Sequence, residues 1–127
     1  APFVSVKDIQ EGFRLLINNN SLQFTFTATT FPFPIQRAFK LISENKVEMF
    51  YPEYLMSRSQ DLKEAYHDAG QIYWGKARAF LNDLPVFSDH SSPVIIPRYR
   101  VQDIDTPEDW IQAELMMKTL IQQEKQT

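Results

Sequence analysis

Asp103 and Asp105 stand two residues apart in "RVQDIDTPEDW" (100–110), and they are the residues of this chain best suited to chemistry. Residues two apart on a strand share a face. With "YRVQDID" read as strand, the spacing therefore brings two carboxylates together. Like charges held close raise the proton affinity of one of them, and a hard cation relieves that cost. Magnesium takes oxygen ligands, typically one or two carboxylates completed by substrate phosphates. The carboxyl end of a strand in an α/β sheet is also where ligands bind. A solvated acidic pair at a strand end would fit the same short motif. The residues that follow need no such chemistry. Thr106 suits a helix N-cap, Pro107 the first helical position, and Glu108 and Asp109 the positive end of a helix dipole.

Other candidates are weaker. His67 in "AYHDAG" and His90 in "SDHSS" each lack a second histidine at metal-ligand spacing. Ser88, Asp89 and His90 are the residue types of a hydrolase triad, but adjacency in a polar loop says nothing of triad geometry. The three glycines, Gly12, Gly70 and Gly75, form no phosphate-cradling pattern, so any nucleotide chemistry must take its phosphate loop from elsewhere. The absence of cysteine excludes disulfides, thiolate zinc sites and thiol nucleophiles. A net charge of −3 argues against a nucleic-acid partner, whose footprint is a basic patch. No apolar run approaches the roughly 18 residues of a membrane span. These features fit a cytoplasmic protein.

Ser5 with Asp8 three residues on resembles a capping box, and Val6, Ile9, Phe13, Leu16 and Ile17 recur at helical spacing over 6–18. "NNNS" (18–21) ends that helix. "LQFTFTAT" alternates Leu22, Phe24, Phe26 and Ala28 against Gln23, Thr25, Thr27 and Thr29, the pattern of a strand. "FPFPIQRAF" is held extended or bent by its prolines and excluded from the middle of a sheet. "SENK" is a turn and "VEMFYP" (47–52) a short strand. "RSQDLKEAYHDAG" reads as an irregular functional loop, "QIYW" (71–74) as a buried strand and "KARAFLND" (76–83) as a short helix. "VIIP" and "YRVQDID" frame one or two further strands. The last helix runs from Pro107 to about Gln123, with Trp110, Ala113, Met117, Leu120 and Ile121 on one face. Helices alternating with strands over 127 residues predict a single α/β domain. An opening of Ala1-Pro2-Phe3, with structure expected by residue 5, suggests a fragment.

"RSQDLKEAYHDAGQIYWG" followed by "IPRYRVQDIDTPEDWIQAE" resembles the C-terminal half of the acylneuraminate cytidylyltransferases, with the nearest likeness to the branch acting on pseudaminic acid. The resemblance runs through essentially the whole chain. It implies the C-terminal half of a Rossmann-like, nucleotide-diphospho-sugar transferase-like three-layer fold. A dimerisation and sugar-binding arm would occupy roughly 31–70, and the N-terminal CTP-binding half, with its "PARGGSK"-like loop, would be missing. The implied activity transfers CMP from CTP to a nonulosonic acid with release of pyrophosphate, assisted by Mg2+ held on Asp103 and Asp105. The fragment alone is expected to be inactive, and the protein is expected to be a homodimer.

Sugar contacts carry over to Arg58, Gln60, Tyr73 and His67, while Gln36 and Arg37 correspond to a part of the family's dimerisation arm that can reach the partner's active site. Two departures bear on the sugar. Ser59 stands where sialic-acid relatives have an arginine, and "AGQIY" (69–73) stands for "NGAIY". Both count against sialic acid itself and fit a different nine-carbon sugar; a synthetase for sialic or legionaminic acid is the alternative within the class. A non-catalytic remnant serving as a dimerising module is the alternative outside it.

Overall fold

The computed structural model describes residues 3–126. Helix α1 spans Val6–Asn18, and the Ser5 hydroxyl accepts the backbone N–H of Asp8 at 3.2 Å, as the capping pattern predicts. Asp8 does not complete the box as its acidic member. Its carboxylate instead accepts a 2.7 Å bond from Arg100, 92 residues along the chain. Asn19 closes the helix, its side-chain oxygen accepting the Ser21 N–H at 3.1 Å.

Strand β1, Phe24–Thr30, lies at the centre of a three-stranded sheet, between β4 (Tyr66–Gly75) and β5 (Ser91–Ile95). β5 runs parallel to it, in a register that pairs Phe24 with Ser91 and Ala28 with Ile95. Pro93 sits in β5, an edge position where a missing N–H is tolerated. β4 runs antiparallel to β1: the Lys76 N–H reaches the Gln23 carbonyl at one end and the Phe31 N–H the Ala65 carbonyl at the other.

The alternation in β1 does not separate a core face from a solvent face, because both are covered. Phe24 and Phe26 meet Phe80 and Phe87 edge-on, with ring centroids 5.2 and 5.0 Å apart. Phe80 belongs to the short helix α2, Ala77–Leu81. On the opposite face Thr25, Thr27 and Thr29 are almost wholly buried. Threonine is tolerated there because each hydroxyl is used: Thr25 donates to the Gly12 carbonyl of α1 at 2.7 Å, Thr29 donates to the Ile96 carbonyl at 2.8 Å, and Thr27 accepts the Ile72 N–H. Gly12 allows α1 to approach this closely. A Cβ there would lie 2.8 Å from the Trp74 ring, which is itself held by a bond from its indole N–H to the Ile9 carbonyl.

Two sequence expectations are corrected here. "RSQDLKEAYHDAG" is irregular only in its first part; from Tyr66 it belongs to β4, which starts five residues before "QIYW" and is half-buried rather than buried. "YRVQDID" is not a strand: Arg98–Arg100 form one 3-10 turn, and 101–105 take no regular structure. Helix α3 then runs Pro107–Gln126. Ala113 is its buried contact residue, whereas Trp110, at the start of the expected face, remains 56% exposed.

The chain divides into two units, one formed by the residues up to Thr29 with those from Asp68 onward, the other by Thr30–His67. The second is built from the antiparallel hairpin β2 (Phe39–Leu41) and β3 (Val47–Met49) and four 3-10 turns. "SENK" turns the hairpin, with Glu44 and Asn45 both in the left-handed region. Every residue from Thr30 to His67 is at least partly exposed, including Phe33 at 78% and Met56 at 90%.

Candidate functional site

Asp103 and Asp105 lie in the irregular segment between the 3-10 turn at Arg98–Arg100 and α3, and both are exposed. Without a strand beneath them, the same-face argument for their carboxylates does not apply. What limits the segment is its two ends. Upstream, Arg100 is tied by its guanidinium to Asp8 of α1, and by its carbonyl to Gln71 of β4, whose amide donates at 2.8 Å. Downstream, α3 opens with a reciprocal cap: the Asp109 N–H donates to the Thr106 hydroxyl, and the Asp109 carboxylate accepts the Thr106 N–H, each at 3.1 Å. The same carboxylate oxygen also accepts the Asp105 N–H at 3.1 Å. The Asp105 amide above all, then the Thr106 side chain and amide, hold the Asp109 carboxyl below its usual pKa.

Among the described residues, neither Asp103 nor Asp105 places its carboxylate in an ion pair or a side-chain hydrogen bond, and no group of three or more metal-ligating side chains assembles. Two open carboxylates suit a hard cation that draws its remaining oxygens from water and phosphate. They do not make a protein-built cage.

Tyr73 and Asp68 meet within β4. The Tyr73 hydroxyl donates to one oxygen of Asp68, and the other oxygen accepts the Gly70 N–H at 2.9 Å. Gly70 has φ +68°, the left-handed conformation that lets the chain turn beneath the aspartate. Burial, reinforced by the bond and the charge of Asp68, pushes the Tyr73 hydroxyl up to about 12.

The remaining sugar-contact candidates all lie in Thr30–His67. Gln36 donates to the Lys63 carbonyl at 3.2 Å while its own side-chain oxygen is buried with no partner. Arg37 donates to the Ser57 carbonyl. Arg58 is exposed and already holds Asp61 at 2.9 Å, so a bidentate grip on a ligand carboxylate requires Asp61 to give way. Gln60 is exposed in the 3-10 turn Ser59–Asp61, and the His67 ring packs edge-on against Phe31, centroids 4.8 Å apart. The triad reading of Ser88–His90 fails: the Ser88 oxygen accepts the His90 backbone N–H, a turn contact rather than a bond to the imidazole.

Asp68, Gln71 and Asp109 were not singled out as site residues from the sequence. Asp68-x-Gly70 carries a local signal, since aspartate two residues before a turn glycine favours this side-chain-to-backbone bond. Gln71 carries none, because its partner lies 29 residues away.

The chain matches no family model. It is 43% identical over 118 residues to a pseudaminic acid cytidylyltransferase of Campylobacter jejuni subsp. jejuni serotype O:23/36 (strain 81-176), covering 93% of this chain and 50% of the relative. The serotype O:2 protein of the same name matches to the same extent. A Helicobacter pylori protein, named pseudaminic acid cytidylyltransferase and UDP-2,4-diacetamido-2,4,6-trideoxy-β-L-altropyranose hydrolase, is 40% identical over 98 residues, 77% of this chain and 19% of that protein. By homology the chain is related to nucleotidyltransferases. The homology is to the pseudaminic acid cytidylyltransferases, and the chain spans about half the length of the C. jejuni relatives it matches.

Proposed function

We propose that these residues form the C-terminal half of a cytidylyltransferase that activates pseudaminic acid with CTP, giving the CMP-sugar and pyrophosphate. The observation that carries this reading is the 43% identity over 93% of the chain to proteins of that name. The Rossmann-like character of the whole enzyme belongs to the same proposal; the β4-β1-β5 sheet with α1 and α2 on opposite faces is consistent with it.

Asp103 and Asp105 would hold a divalent cation, Mg2+, through open carboxylate oxygens. A bound cation would neutralise phosphate charge and stabilise the leaving pyrophosphate. The chain's own residues do the rest. Tyr73, oriented by Asp68, presents a fixed phenol oxygen to the sugar. Arg58 and Gln60 would bind its carboxylate and hydroxyls together with His67, and Gln36 and Arg37 of the arm would reach the sugar site of a second copy. No glycine-rich phosphate loop occurs in the 127 residues, so the triphosphate must be held by groups outside them and these residues alone do not catalyse.

A chimera tests the reading. In the C. jejuni relative, the matched 118 residues are replaced by those of this chain, and CMP-sugar formation is measured with pseudaminic, legionaminic and sialic acids. Activity restricted to pseudaminic acid is expected. Activity with sialic acid alone would transfer the protein to the alternative synthetase class. An inactive chimera that still assembles would favour a dimerising module, the reading to which the exposed apolar residues of Thr30–His67 lend weight. Calorimetry of this chain with CTP and Mg2+ gives a separate check: micromolar affinity would contradict dependence on an outside phosphate loop.

A further inference from the structure

Asp103 and Asp105 are two exposed acids on an irregular segment, yet that segment is tethered at both ends. On the upstream side the Gln71 amide donates to the Arg100 carbonyl at 2.8 Å in a part-buried bond, and the Arg100 guanidinium pairs with Asp8 at 2.7 Å, with side-chain exposures of only 21% and 10%. Arg98 and Arg100 are also closed into a 3-10 turn by the bonds Arg100 N–H to Pro97 and Val101 N–H to Arg98. On the downstream side one oxygen of Asp109 gathers the N–H groups of Asp105 and Thr106. Five residues, Val101 to Asp105, thus span two fixed points, each made by a side chain remote from the acids or turned back from the helix.

Helix capping explains the Thr106 bond but not the additional one to Asp105, which lies outside the helix. Gln71 is a costly way to stabilise a fold, since its side-chain oxygen is buried without a partner. An apolar side chain of similar length would pack there without that penalty.

We propose that Gln71 and Asp109 are positioning residues for the acidic pair, holding the backbone on either side of Asp103 and Asp105 so that both carboxylates meet one divalent cation. This rests on the metal role given to those two aspartates above. The benefit is entropic: a free five-residue loop would lose its conformational freedom when the cation binds, and a tethered one has already lost it.

The test uses Mn2+ as probe, titrated into the 127-residue chain and followed by the electron paramagnetic resonance signal of the free ion. The unsubstituted chain is expected to bind Mn2+, and Asp103→Asn with Asp105→Asn to abolish that binding. Gln71→Met, which removes both the donor and the unpaired oxygen, should weaken Mn2+ about 10-fold at an unchanged melting temperature, the scale on which outer partners tune metal sites. Equal Mn2+ affinity in Gln71→Met and the unsubstituted chain would overturn the positioning role while leaving the metal site standing. No binding that depends on Asp103 and Asp105 would remove the metal reading and the positioning role with it.

Hydrogen exchange supplies a readout independent of the ion. The Asp105 and Thr106 amides should exchange slowly in the unsubstituted chain and faster in Asp109→Ala. Unprotected Asp105 in the unsubstituted chain would overturn the downstream tether.

Discussion

The two units of this chain are held together by different means. In the first, strand β1 is buried on both faces: aromatic rings from α2 and the following loop cover one, and on the other three buried threonine hydroxyls find partners in Gly12 of α1, Ile72 of β4 and Ile96. In the second, Thr30–His67, every residue keeps some exposure, and the hairpin is joined by short-range bonds and exposed pairs such as Lys40–Glu48 at 3.4 Å. Surface pairs of that kind contribute little, and a lone two-stranded hairpin is marginal in water. The first unit therefore carries the stability of the chain. The second carries apolar surface, and Phe33, Leu41, Val47, Leu55 and Met56 are each more than half exposed. A region that keeps that much apolar surface uncovered is suited to contact with another molecule rather than to supporting itself.

The sharpest way to break this contrast is to attack the buried charge pair of the first unit. Asp8→Ala leaves Arg100 without its partner in a largely buried position, and should cost about 3–5 kcal/mol in urea unfolding. Replacing both, Asp8→Ala with Arg100→Met, should recover most of that loss. If the single substitution is silent, the pair does not hold α1 to the segment before α3.

Gly12→Ala comes next. Its new Cβ must displace a Trp74 ring pinned between Phe13 and the Ile9 carbonyl, so overpacking of about 1–3 kcal/mol is expected, read as a lower denaturation midpoint. The corresponding attack on the second unit should barely register. Leu41→Ser with Val47→Ser, an exposed cross-strand pair, should shift unfolding by no more than about 0.5 kcal/mol in urea. A loss comparable to that of Asp8→Ala would mean that the hairpin has a core after all.

The smallest effect is spectroscopic. Tyr73 ionises in the folded state near 12, above the usual 10, so its folded environment favours the neutral phenol. The stability this contributes is fully present below pH 10 and is lost as pH rises through about 12. Ultraviolet titration against Tyr73→Phe should show one tyrosine ionising late, and Asp68→Ala should bring that step down. A Tyr73 titration unaffected by Asp68→Ala would leave burial alone as the cause.

Local chemistry was readable in the sequence wherever the cause lies within a few residues. The Ser5 cap and the helix behind it, the "NNNS" stop, the "SENK" turn, the extended β1 and the Thr106 cap all follow from short-range bonds and side-chain spacing, and the structure has each of them. The motif residues Asp103 and Asp105 were legible as a type, and the likeness to the cytidylyltransferases as a pattern spread along the chain.

What depends on distant partners is settled by long-range packing and pairing. Alternation in β1 could not reveal that its threonine face is buried, because the groups that satisfy those hydroxyls come from Gly12, Ile72 and Ile96. The early start of β4 depends on pairing with β1, not on its own composition. The acidic pair lost its strand and gained two tethers, one made by Gln71 and an Asp8–Arg100 bond spanning 92 residues. Such contacts form only after the loops between them close, and nothing in the sequence near either end of a long-range bond encodes its partner.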